Sequence, residues 1–153
     1  MRTIRGSVLV GVVLGSLLAG ASVSSAEPGS AACRTTPPSQ RSAPGLSTLS
    51  RSWWYRNYVW MGVAGSFHGE GFVADPHGQK IGWYRQRPGR LHVFAKRLDG
   101  PAASFVADVN ESYGARGFQA SGLTFGAPGC WAVTAVVGGQ ASRFVVAVAP
   151  FAP

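Results

Sequence analysis

From Trp53 onward the sequence predicts an all-β fold in which antiparallel strands pack as a sandwich. Short apolar runs alternate at a period of two, turn residues separate them at fairly even intervals, and no apolar pattern at i, i+3, i+4, i+7 is long enough for a helix. The strands fall near 54–64, 80–85, 91–98, 103–109, 119–125, 130–137 and 142–149. Their separators are Asp75-Pro76-His77-Gly78, Arg87-Pro88-Gly89, Asp99-Gly100-Pro101, Tyr113-Gly114 and Gly138-Gly139. About seven strands at this spacing favour a sandwich of the immunoglobulin type over a closed barrel.

Side-chain parity then assigns faces. In the last strand Phe144, Val146 and Val148 form the expected core face, with Arg143, Val145 and Ala147 opposite. The preceding strand groups Trp131, Val133, Ala135 and Val137 against Cys130, Ala132, Thr134 and Val136, so both of its faces are expected to be covered, as in a central strand. Over 91–98, Leu91, Val93 and Ala95 alternate with His92, Phe94 and Lys96.

Upstream of the sandwich the composition changes. Residues 27–52 are rich in Ser, Pro, Ala and Gly, include Pro37-Pro38 and Pro44-Gly45, and read as a tail or linker. Residues 1–26 have the parts of a secretory signal: Arg2 and Arg5, the apolar run Val8–Ala21, and small residues at Val23-Ser24-Ser25-Ala26 before an expected cleavage. The apolar run is about 14 residues, short of the about 20 needed for a spanning helix, so no transmembrane segment is expected in the mature chain. The sequence thus divides into a signal peptide (1–26), a tail (27–52) and a sandwich domain (53–150), with a secreted or cell-envelope location.

Two cysteines in an exported chain suggest one bridge, Cys33 to Cys130, because the destination is oxidising. The alternative is a lipid-modified Cys33, although Ser30-Ala31-Ala32 before it lacks the usual Leu-like residue. A bridge would turn the tail into a strap across the sandwich.

The 153-residue chain carries a net charge of +8, and removal of the leader with Arg2 and Arg5 lowers this by two. Lys80, Arg85, Arg87, Arg90, Lys96 and Arg97 fall in one stretch without Asp or Glu, a candidate surface for anionic cell-envelope polymers. The same residues also suit a solvated set that blunts sheet edges. Trp54, Tyr58, Trp60 and Trp83 form a candidate aromatic platform for a sugar or a protein partner, against the competing reading of core and edge packing. His68, Glu70, Asp75 and His77 are a candidate metal set, since imidazole and carboxylate suit zinc or copper, but their spacing matches no recognised motif; the alternative function they imply is a metal-binding accessory protein or a metal-dependent enzyme centred on His68 and His77. His92 with Asp99 or Asp108 lacks any nucleophile signature, so catalysis is not expected, nor is a cofactor. Basic residues interleaved with Trp83, Tyr84 and Phe94 resemble a single-strand nucleic-acid groove, but export argues against nucleic acid as partner.

One stretch, Ala127-Pro128-Gly129-Cys130-Trp131-Ala132-Val133-Thr134, followed by Val136-Val137-Gly138-Gly139 and Phe144-Val145-Val146, resembles the C-terminal signature of a family of uncharacterised secreted or lipid-anchored bacterial proteins. The resemblance extends upstream through Arg97-Leu98-Asp99-Gly100-Pro101-Ala102, Tyr113-Gly114, Gly117–Leu123, Gly82-Trp83-Tyr84-Arg85 and Trp54-Tyr55-Arg56-Asn57 with Trp60. It implies an immunoglobulin-like β-sandwich outside the cytoplasmic membrane and, through the early Cys33-Arg34-Thr35-Thr36-Pro37-Pro38, pairing of Cys33 with Cys130. It implies no activity. In immunoglobulin-type domains the partner cysteine lies on an early core strand, whereas Cys33 precedes the first expected strand, so a strap is expected here rather than a core pin.

Overall fold

The computed structural model describes residues 33–46, 52–63 and 71–152. They form nine strands: β1 (Trp53–Arg56), β2 (Val59–Val63), β3 (Phe72–Val73), β4 (Gln79–Arg85), β5 (Leu91–Arg97), β6 (Phe105–Val109), β7 (Gly117–Phe125), β8 (Gly129–Val137) and β9 (Gln140–Ala149). There is no helix among the described residues, and so none long and apolar enough to cross a membrane. Two sheets face each other, one in the order β1-β2-β4-β7-β6 and the other β3-β9-β8-β5. All pairings are antiparallel except the short β3–β9 contact.

Alternation builds the core. Ile81, Trp83, Leu123 and Phe125 point inward from the five-stranded sheet, and Leu91, Val93, Trp131, Val133, Phe144 and Val146 point inward from the four-stranded one. The expected inward faces of β8 and β9 are those observed, and Cys130 and Ala132 on the other face of β8 are also buried.

The expectation of about seven strands is corrected to nine. The stretch 54–64 is two strands, because Asn57 (φ 42°) and Tyr58 (φ 71°) form a two-residue turn that pairs Arg56 with Val59. Positive φ at both central residues is the hairpin geometry that matches strand twist. The additional β3 is only a two-residue edge beside β9.

The tail returns to the domain. Cys33 and Cys130 are joined by a disulfide with Cα atoms 5.4 Å apart, so Cys33 has no thiol for a lipid. Thr36 then binds the edge of β9 twice: its N–H donates to Val145 O (2.8 Å), and its Oγ1 accepts from Val145 N–H (2.9 Å). Ser39 forms a bridge to Trp53 at the edge of β1. The strap therefore caps one exposed edge of each sheet, where unpaired backbone groups would otherwise template association.

Further along, Ala43 covers Trp53 and Trp60 in a second small apolar cluster outside the sandwich interior. Gly62 makes this possible, since a Cβ there would lie 2.8 Å from the Trp53 ring. The indole lies against bare backbone.

Candidate functional site

The basic stretch is not one surface. The β4–β5 turn carries the chain from one sheet to the other, so Lys80 is exposed on the outer face of the five-stranded sheet and Lys96 on that of the four-stranded sheet. Arg85 has inward parity and is only 2% exposed, which removes it from any solvent-facing set. Arg87 stacks on the Tyr58 ring at 4.1 Å, Arg90 pairs with Glu111, and Arg97 Nε donates to Asp99 Oδ1 at 3.0 Å. Of the six residues, Lys96 alone joins the groove described below.

Nor is there an aromatic platform. Trp83 is fully buried and donates from Nε1 to Ser121 Oγ (2.8 Å). Trp60 lies beneath the strap beside Tyr55. Trp54 is half-buried against Phe72 and donates to Thr36 O. The turn at Asn57-Tyr58 breaks the shared parity on which the platform depended, because Trp54 pairs with Met61 while Trp60 pairs with Tyr55. Tyr58 is exposed, but it stands at the hairpin tip under Arg87.

Of the candidate metal ligands, His68 and Glu70 lie outside the described residues. Asp75 is buried and organises a turn: its Oδ1 accepts the His77 N–H (2.8 Å) and its carbonyl accepts the Gly78 N–H (3.0 Å). Aspartate favours such positions because its carboxylate can mimic a turn's backbone bond. Among the described residues no group of three His, Cys, Asp or Glu is placed to hold a metal. His92 is exposed on the four-stranded sheet, whereas Asp108 belongs to the five-stranded one and Asp99 is occupied elsewhere.

Two sites emerge instead. The first is a groove of about 260 Å³ on the outer face of the four-stranded sheet, lined by Phe94, Lys96, Leu98, Ala132, Thr134 and Arg143. Its shape follows from register: Phe94, Thr134 and Arg143 lie opposite one another in a cross-strand row, with Lys96 and Ala132 in the next. Small residues on β8 form the floor between longer side chains on β5 and β9, placing Phe94 and Arg143 about 9–10 Å apart across two strand spacings. Phe94 is 54% exposed and Leu98 44%, and no carboxylate lines the groove.

A corner motif holds Leu98 at the end of this groove. Leu98 N–H donates to Cys130 O (2.7 Å), and Cys130 N–H donates to Asp99 Oδ2 (2.8 Å). Gly129, at φ 136°, permits this approach, since a Cβ would meet Asp99 Oδ1 at 2.6 Å. The Cys130 N–H bond first, and then the neighbouring Arg97, hold the Asp99 carboxyl below its ordinary value against the opposing effect of burial. A depressed folded-state pKa contributes stability that is complete above the unfolded value of 3.8 and is lost as pH falls through the folded value. Asp99→Asn keeps an acceptor for Cys130 but loses the charge. The gap in urea midpoint between wild type and this variant is expected to stay constant well above pH 3.8 and to close as pH falls below 3.8 and through the lower folded value.

The second site is a cavity of about 230 Å³ at one end of the sandwich, between the β4–β5 turn and the β6–β7 connection, which are tied by Gly89 N–H to Ala115 O (3.1 Å). Arg85 lines it, donating from Nη1 to Gly89 O (2.7 Å) and from Nη2 to Gly114 O (2.5 Å). Burial lowers its guanidinium pKa, yet arginine stays charged at any physiological pH. The missed signal was local: Arg85 shares the parity of Ile81 and Trp83, which an assignment of faces along β4 would have exposed.

No protein-family model matches this chain, and no curated protein or solved structure matches it.

Proposed function

We propose that this protein is a non-catalytic extracytoplasmic binding module whose ligand is an anionic polymer of the cell envelope, held in the groove on the outer face of the four-stranded sheet. The supporting observation is the pairing of an exposed ring, Phe94, with two exposed cations, Lys96 and Arg143, around a floor of Ala132 and Thr134 free of carboxylates. A ring offers a stacking surface for sugar or polyol units, while the cations meet phosphate or carboxylate groups along the polymer. The disulfide and the N-terminal signal support the extracytoplasmic setting. Membership of the secreted or lipid-anchored bacterial family is part of the same proposal and rests on the Gly129-Cys130-Trp131 signature.

Retention on immobilised polyglycerol phosphate tests this reading. Wild-type protein is expected to be retained at low salt and released as ionic strength rises, because exposed charges are screened beyond about 8–10 Å near 0.1–0.15 M salt. Lys96→Glu with Arg143→Glu should abolish retention, and Phe94→Ala should weaken it several-fold. Unchanged retention of the double variant would discard the groove.

A further inference from the structure

We infer that the groove on the four-stranded sheet receives the lipid-bearing end of its polymer, a phosphodiester with an acyl chain beside it; this rests on the reading of the groove given above. A hydrophilic polymer engages the cations and the Phe94 ring, and it leaves Leu98 unexplained. Leu98 is 44% exposed at one end of the groove, and Phe94 is 54% exposed further along β5. Exposed apolar side chains scattered singly are ordinary on any surface, but these two line one depression.

The apolar strip between them is continuous. Phe94, Lys96 and Leu98 follow one another at every second residue, which sets Phe94 and Leu98 roughly 13 Å apart along the strand direction. Ala132 lies opposite Lys96 and floors the gap, and the Lys96 stem is itself hydrocarbon with only its ammonium seeking an anion. Leu98 is held in place by its backbone N–H on Cys130 O, within the corner that Asp99 and Gly129 build. A side chain on such a fixed backbone gives up less freedom when a ligand covers it.

Charge selects the head of the ligand. Lys96 and Arg143 are exposed, have no ion-pair partner among the described residues, and stand on opposite sides of the β8 floor with no carboxylate in the lining. The Thr134 hydroxyl, in the row between Phe94 and Arg143, adds a further donor. An uncharged lipid leaves both cations unmatched, and a polyol phosphate leaves the strip from Phe94 to Leu98 wet. An anionic head on Arg143 and Lys96 with hydrocarbon against Phe94, Ala132 and Leu98 satisfies both. The volume of about 260 Å³ is below the about 300–1,000 Å³ that encloses a drug-sized ligand, so the groove covers the head and the first part of a chain.

The test titrates the disulfide-bonded protein with dihexanoyl phosphatidylglycerol below its micelle concentration, and with glycerophosphoglycerol, the same anion without acyl chains. The lipid is expected to bind at least about tenfold more tightly, with saturable NMR shifts at Leu98 and Ala132. Dihexanoyl phosphatidylcholine, which carries the same chains on a head without net charge, is expected to bind several-fold more weakly than the phosphatidylglycerol. Leu98→Ser keeps the backbone N–H and a dispersed, folded spectrum, and should cut the ratio of lipid to glycerophosphoglycerol affinity at least about threefold. Glycerophosphoglycerol bound as tightly as the lipid overturns the lipid end and leaves the polymer reading standing; no binding of the lipid together with no retention on polyglycerol phosphate removes both. Equal affinity for phosphatidylcholine, an unchanged ratio in Leu98→Ser, or binding to phosphatidylglycerol vesicles with none to the monomeric lipid also overturns the inference.

Discussion

Replacing both Cys33 and Cys130 by serine is expected to lower the thermal midpoint by about 10–20 °C. The bridge spans a sequence separation of 97 residues. In the chain-entropy model, closing a loop of about 100 residues stabilises by up to about 4.7 kcal/mol, and each kcal/mol moves the midpoint of a domain of this size by about 3–5 °C. The native contacts of the strap add a local consequence. Without the bridge, Thr36 at the edge of β9 and Ser39 beside Trp53 remain bound only by hydrogen bonds, and Ala43 covers Trp53 and Trp60 with little else to hold it. Amide exchange at Val145 should therefore accelerate more than at Val133 in the core. A serine variant that melts with the wild type would show that the bridge contributes little and that the strap docks independently of it.

Trp83→Ala is expected to cost about 3–5 kcal/mol, the range for deleting a buried large aromatic. The ring is fully buried, packs near Phe144 with centroids 6.5 Å apart, and binds Ser121, itself buried. Truncation thus removes apolar contact and also leaves the Ser121 hydroxyl unpaired. Trp83→Phe separates the two effects, because it keeps most of the apolar volume while orphaning Ser121 at about 1–3 kcal/mol. Adding Ser121→Ala to Trp83→Phe should recover part of that loss, as read by urea midpoints. A Trp83→Ala protein as stable as wild type would place the indole at the surface and revive the aromatic platform.

Much of the sandwich is legible in the sequence because alternation is a local signal. Phe144, Val146 and Val148 against Arg143, Val145 and Ala147 fix the face of β9 without any knowledge of its neighbours, and Gly138-Gly139 marks the hairpin joining it to β8. The β1–β2 turn was hidden because Asn57-Tyr58 lacks the glycine that advertises such a turn and sits among aromatics that favour strands. Site residues were less legible because their meaning depends on which sheet a strand joins. Lys80 and Lys96 are close in sequence yet belong to opposite outer faces. Arg143 is distant in sequence yet joins Lys96 across the floor of β8. Arg85 has the composition of a surface charge and the parity of a core residue, and parity prevails because β4 lies between β2 and β7, with its inner face closed by the opposing sheet.

Chemical-shift mapping with soluble polyglycerol phosphate tests the proposed binding face most directly. The groove geometry leads to saturable, salt-sensitive shifts concentrated at Phe94, Lys96, Leu98, Ala132, Thr134 and Arg143, with Lys80 and Arg87 unmoved. Shifts centred on Lys80 or Arg87, or none at the groove while the polymer binds, would contradict it.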